Sequence, residues 1–338
     1  MNTSDLWDNY FDRQFSVNIL KETKGKDEHN KFQVYMGGSV HDTLLICFHG
    51  AGHTALSWSL LARSLKTAFC VAAYDCRGHG LTECDNSSDL STETLVQDAS
   101  QIIEKLQEMI FVERETTEKP KRSCSRALPS GTSQSELLVR ERILAHSRRL
   151  SRAHIVLMGH SMGGAIAIHL ASKGIVKDLQ GLIILDVVEG TAIEALPRME
   201  KFISTFPLFF TSLESAIQWS LKHVLHNEES ARISIPSQLE YDGELWRWRV
   251  NLKETKCYWN QWFQGIGNKF LNAPIPSGGK VLILVGHERL DKPLTIAQMQ
   301  GKFQLNVIPK SGHIVQEDQP EDIVQVVLAF AERYCLIN

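Results

Sequence analysis

Short, unbroken apolar runs limit the folds open to this 338-residue chain. They lie at residues 44–48, 70–74, 155–158, 182–185, 281–285 and, more weakly, 305–308. A strand with one wet face alternates apolar and polar residues, whereas a strand covered by helices on both faces does not. The segments between the runs have a helical period. Residues 92–110 place Leu95, Val96, Ala99, Ile102, Ile103 and Leu106 on one stripe, with Ser91 or Thr92 placed to cap its start. Residues 162–172 are small and apolar nearly all round, which predicts a buried helix. Residues 322–334 carry Ile323, Val326, Val327 and Phe330 and follow Pro320, which predicts a closing helix. This alternation predicts an α/β fold with a mostly parallel central sheet flanked by helices.

Two stretches interrupt the alternation. Residues 113–152 contain ten basic and five acidic side chains, a local charge of +5 in a chain whose total is −3. Unpatterned charge stays in water, so this segment reads as a solvated, mobile insertion rather than a basic docking loop. It joins a helix to the next strand, the edge of the sheet away from α/β active sites. The second interruption, between the runs ending at Leu185 and starting at Val281, holds Trp219, Trp246, Trp248, Trp259 and Trp262, five of the seven tryptophans. Helical segments at 213–224 and 256–263 predict a helical cap over 190–275, its aromatics mainly packing residues. Residues 1–30 read as an N-terminal arm, and 31–338 as the main domain.

Composition excludes several classes. With 43% hydrophobic and 22% charged residues the chain is a folded globular protein. Thirty-six Lys+Arg against 39 Asp+Glu is no nucleic-acid binder's balance. No stretch nears the roughly 20 apolar residues that a membrane helix needs. The N-terminus lacks the basic and apolar regions of a signal peptide, and the seven cysteines are scattered without a C-x-x-C pair. The expected setting is a reducing one, cytoplasmic and/or nuclear.

The segment 155–165, I-V-L-M-G-H-S-M-G-G-A, contains G-x-S-x-G between a strand and an apolar helix. A nucleophile elbow needs that strand–turn–helix. Gly159 and Gly163 permit the bend that lifts the Ser161 hydroxyl above the sheet, and the Met162 N–H points where an oxyanion would form. A serine hydroxyl is a poor nucleophile until a base takes its proton. His313, in P-K-S-G-H-I-V between the last strand and the last helix, stands where that base belongs. His49, His53 and His79 precede the serine, His160 is its neighbour and cannot fold back onto its Oγ, and His169 reads as a packed residue.

The acid has competing sites: Glu288 and Asp291 after the penultimate strand, and Asp186 at the end of L-I-I-L-D. All keep the serine–acid–histidine order of α/β hydrolases. Spacing does not choose, and taken alone the usual position favours Asp291. A second oxyanion donor is expected from His49-Gly50-Ala51-Gly52-His53, with Ala51 N–H first and Gly52 behind it. The glycines of Asp75-Cys76-Arg77-Gly78-His79-Gly80 read as a structural turn, since no phosphate-binding pattern is present. No H-E-x-x-H and no cluster with metal spacing occurs, so neither a metal nor a cofactor is expected.

These residues sit within longer stretches that resemble the protein phosphatase methylesterases, serine hydrolases of the α/β-hydrolase fold. The matching stretches are L-L-I-C-F-H-G-A-G-H, G-H-S-M-G-G-A-I-A, L-D-V-V-E-G-T-A, R-W-R-V-N-L-K-E-T-K-C-Y-W, Q-W-F-Q-G and R-L-D-K-P-L-T-I-A-Q-M-Q-G-K-F-Q, spanning the chain from about Trp7 apart from the basic insert. G-H-S-M-G-G is common among hydrolases, whereas L-D-V-V-E-G-T-A and L-T-I-A-Q-M-Q-G-K-F-Q are specific. The resemblance implies Asp186 as the acid, with Ser161 as nucleophile and His313 as base. It also implies the substrate and partner: the methyl ester on the C-terminal leucine of the protein phosphatase 2A catalytic subunit, hydrolysed through an acyl-enzyme with release of methanol. Ala51 departs from the family's H-G-G-G-H, the insert is longer, and an acidic stretch found before R-W-R in some relatives is missing. Two rivals stand beside this reading, a general small-ester carboxylesterase or lipase-like hydrolase and a catalytically silent scaffold that only binds phosphatase. Turnover of small esters marks the first, and failure to react with a serine-directed probe marks the second.

Overall fold

The computed structural model describes residues 3–23, 26–117 and 153–337. The apolar runs become the parallel strands β3 (Thr43–Phe48), β4 (Phe69–Tyr74), β6 (Ile155–His160), β7 (Leu179–Leu185), β10 (Gly279–Leu284) and β11 (Gln304–Val307). An antiparallel pair, β1 (Arg13–Thr23) and β2 (Lys26–Gly37), extends the sheet, giving the order β1-β2-β4-β3-β6-β7-β10-β11. The two-residue strand β5 (Glu83–Cys84) pairs with β2.

Residues 1–30, expected as an arm, therefore include a full edge strand and part of its partner. The physical reason is burial: Val17 and Ile19 of β1 and Phe32, Val34 and Met36 of β2 are buried in the main core. The strands β3, β4, β6, β7 and β10 each divide their residues between two cores. On β3, Leu44, Ile46 and Phe48 enter one layer, and Leu45 and Cys47 the other. The first layer lies under α2 (Thr92–Thr117) and α3 (Met162–Ser172), the second under α1 (Ser59–Leu65) and the closing helix α10 (Pro320–Arg333). Residues 162–171 of α3 are all buried, as their all-round apolar character requires.

Helix α2 runs past the expected end at 110 to Thr117. Glu113 pairs with Arg13 at 2.8 Å, and Arg114 donates to the carbonyls of Val40 and Asp42. The first five residues of the 113–152 segment are thus helical and anchored, and residues 118–152 lie outside the described residues.

The segment between β7 and β10 holds α4 (Glu189–Ile203), α5 (Leu213–His223), α6 (Glu228–Ser237), a hairpin of β8 (Leu239–Tyr241) with β9 (Trp246–Trp248), α7 (Lys256–Phe263) and α8 (Ile266–Asn272). The cap expected as helical thus includes a two-stranded element. It has its own small core of Phe210, Ala216, Ile217, Leu225, Ala231, Ile235 and Leu239, joined by Ile314 from the segment that carries His313. Trp259 and Trp262 belong instead to the main core, where Trp262 Nε1 donates to Leu90 O at 2.8 Å.

Candidate active site

The carboxyl ends of β6 and β7 and the loop after β11 bring Ser161, Asp186 and His313 to one edge of the sheet. Ser161 follows β6 directly at φ 51°, ψ −119°, a conformation that costs an L-residue strain and persists only where the surroundings impose it. They do so through two bonds: Ser161 N–H donates to Leu185 O at 3.2 Å, and Ala165 N–H donates to Ser161 O at 3.0 Å. A Cβ on Gly159 would lie 2.5 Å from Gly163 O, and one on Gly163 would strike Phe48 O, so the elbow admits only glycine at both positions.

Asp186, also at positive φ (50°), has a fully buried carboxylate. His313 Nδ1–H donates to its Oδ2 at 2.7 Å, Arg289 Nη1 donates to the same oxygen at 2.5 Å, and Val285 N–H reaches Oδ1 at 3.3 Å. Asp291 is engaged elsewhere: its Oδ1 accepts the Leu294 N–H at 3.0 Å as the N-cap of α9 (Lys292–Met299). The rival carboxylate is a helix cap, and the imidazole meets Asp186. The Ser161 hydroxyl is part-exposed and forms no hydrogen bond with the described residues, His313 included. Such a bond is commonly loose until substrate is bound.

His160, the neighbour of Ser161, supports His313 from behind. Its Nε2–H donates to the His313 carbonyl at 2.8 Å, and the two rings lie 4.7 Å apart. Burial, reinforced by the nearby His313, pushes its pKa well below the ordinary histidine value, so His160 is a neutral donor. His169 is the packed residue its position suggested, donating from Nε2 to Trp262 O at 3.0 Å and accepting from Lys269 Nζ at 3.0 Å.

Two further histidines brace the loop after β3. His49 donates from Nδ1 to Gly50 O at 2.8 Å and accepts the Cys76 N–H on Nε2 at 2.9 Å. His79 donates from Nδ1 to Arg77 O at 2.8 Å and accepts the Gly52 N–H on Nε2 at 3.0 Å. The Gly52 amide is therefore spent on His79, while Met162 N–H is a first-turn amide that a helix cannot satisfy internally. Asp75 completes the brace, accepting from Ala55 N–H at 2.7 Å and Leu81 N–H at 2.9 Å, while buried Arg77 forks onto Asp98 with two bonds of 2.8 Å. The motif read as a structural turn is thus a scaffold for the loop opposite. Its signal in the sequence was the density of charged and imidazole groups between glycines.

Both braces require neutral imidazoles, which fixes a pH dependence. Burial lowers the His79 pKa to about 4 and that of His49 well below the ordinary value. An unfolded histidine takes up its proton near pH 6.5, so between 6.5 and 4 the unfolded chain binds more protons and stability falls as pH falls. From His79 the loss at pH 5 is about 2 kcal/mol. Burial pushes Asp75 up to about 6, which acts oppositely and offsets about 1 kcal/mol at that pH. With His49 and His160 added, the net expectation is a Tm at pH 5 lower by about 5 °C or more than at pH 7.5. Thermal melts at the two pH values check this, and an unchanged Tm contradicts neutral braces.

Among the described residues no group of three or more His, Cys, Asp or Glu could hold a metal ion, and no helix is long and apolar enough to cross a membrane.

Residues 45–326 match the sequence pattern of the Alpha/beta hydrolase family. A solved structure of E-2-(acetamidomethylene)succinate hydrolase superposes with a TM-score of 0.66 at 17% identity, covering 94% of this chain and 99% of the other, a likeness of fold alone. Fold and family model together place the chain among the α/β hydrolases. "Protein phosphatase methylesterase 1" of Bos taurus is 36% identical over 97% of this chain and 86% of its own length. "Probable protein phosphatase methylesterase 1" of Caenorhabditis elegans is 36% identical over 97% and 77%. Within the α/β hydrolases, the chain belongs to the protein phosphatase methylesterase family.

Proposed function

We propose that this enzyme removes the methyl group from the C-terminal leucine methyl ester of the protein phosphatase 2A catalytic subunit. The observation that carries the chemistry is His313 Nδ1 on the buried carboxylate of Asp186, one strand from a serine held at φ 51°. The relatives' names support the substrate. Ser161 Oγ attacks the ester carbonyl while His313 Nε2 takes its proton, and Asp186 stabilises the imidazolium. The Met162 and Ala51 N–H groups hold the oxyanion, a donor of this kind contributing about 3–4 kcal/mol. Collapse breaks the bond to methoxide, which leaves as methanol with the proton from His313. Water then attacks the acyl carbon, giving its proton to His313, and the free carboxylate leaves as Ser161 is restored.

A methyl leaving group offers almost no surface to grip, and one buried leucine supplies only about 1.5–3 kcal/mol. Selectivity therefore needs protein–protein contact. The cap supports this reading, since Phe202, Leu208, Phe209 and Tyr241 are exposed there and Arg247 lies over the Phe209 ring at 5.8 Å. Aromatic and arginine side chains of this kind anchor interfaces. The insert at 113–152 is assigned no catalytic part, and the cytoplasm and/or nucleus is the setting the reading requires.

The test is incubation with carboxymethylated phosphatase catalytic subunit, following methyl loss by mass spectrometry beside turnover of a small methyl ester. The expected kcat/KM for the phosphatase exceeds that for the small ester by at least about 10³-fold, the worth of some 4 kcal/mol of docking. Equal efficiency makes the protein a general carboxylesterase, and inertness toward both makes it a scaffold.

A further inference from the structure

The turn after β10, where the architecture suggested an acid, instead delivers a guanidinium to the acid that β7 supplies. Arg289 Nη1 and His313 Nδ1 donate to the same atom, Asp186 Oδ2, at 2.5 and 2.7 Å. The carboxylate is fully buried while the arginine side chain is 35% exposed, so the ion pair reaches from solvent into the heart of the site. A buried carboxylate facing one imidazole draws a proton strongly onto that imidazole. A permanent cation on the same oxygen takes up part of that attraction and leaves the imidazole the weaker base.

We infer that Arg289 is a positioning residue of the triad: by gripping Asp186 Oδ2 it fixes the carboxylate that the His313 Nδ1–H meets and takes up part of that carboxylate's charge. The inference rests on the roles given above to Ser161, Asp186 and His313. The other groups around the imidazole do not duplicate this charge. From β6, His160 is buried and neutral. Behind it, from the loop after β3, the His53 ring lies 6.0 Å from that of His160, with Glu317 3.6 Å from its Nδ1. On the segment of His313 itself, Asp318 accepts from Gly312 N–H at 2.9 Å and bonds the His226 ring at 2.9 Å.

The test compares wild-type, Arg289→Gln and Arg289→Lys full-length chains by two measurements. The imidazole nitrogens of His313 are titrated by NMR, and the rate of Ser161 modification by a fluorophosphonate is followed against pH. Arg289→Gln is expected to move the acid limb of the modification rate to higher pH, so that the rate on the limb falls about tenfold. Arg289→Lys, which keeps the charge but not the fork, restores most of the limb's position. An acid limb or an NMR titration in Arg289→Gln equal to wild type overturns the inference, as does a loss uniform across pH that lysine does not rescue. If the wild-type serine does not react, the esterase reading fails, while the NMR titration still decides the role of Arg289.

Discussion

Ser161→Ala is expected to lower ester turnover by roughly 10⁶-fold while leaving the fold intact. The loss is large because attack, proton transfer and the acyl intermediate all need that oxygen. The fold survives because the hydroxyl has no hydrogen bond to the described residues and leaves no orphaned partner behind. Alanine carries the same Cβ as serine, so the strain at φ 51° is unchanged. Activity assays with a thermal melt check both halves: Tm within about 2 °C of wild type, and turnover at the limit of detection. Retention of even a few per cent of the rate would remove Ser161 from the chemistry.

Asp186→Asn is expected to cost about 10⁴-fold in kcat, and Asp291→Asn almost nothing. Asparagine at 186 keeps the shape of the carboxylate but can turn an amide N–H toward His313, which then holds the wrong tautomer and cannot take the serine proton. It also faces Arg289 with no charge to meet it. At 291 the side chain caps α9, and asparagine caps a helix as well as aspartate does. Assaying the two variants side by side separates the candidates. An inactive Asp291 variant beside an active Asp186 variant would reverse the assignment.

The parallel core was legible because five of the six apolar runs are buried on both faces and have no other use in a chain of this composition. The hairpin β1–β2 was not, since Leu20 is exposed beside buried Ile19 and charged residues interrupt the run, so the segment reads as polar. Within the site, the G-x-S-x-G bend and the loop histidine are local patterns that a sequence displays. The acid is a tertiary fact. Asp186 and Asp291 both end strand-adjacent turns, and only the packing of β7 against β10 decides which one faces the imidazole. The same limit hid His160, whose role depends on the backbone of a residue far along the chain, and Gly52, whose amide is consumed by His79. Arg289 was invisible for a further reason: an arginine in a surface turn carries no mark of the carboxylate it will find.

The proposed chemistry depends on one serine at the β6 edge being made nucleophilic by His313. The most direct measurement is a peptide map of the intact protein after brief exposure to a fluorophosphonate at neutral pH. A single adduct on Ser161 is expected, formed in wild type and lost in His313→Ala. An adduct on another residue, or undiminished labelling of Ser161 without the imidazole, would contradict it.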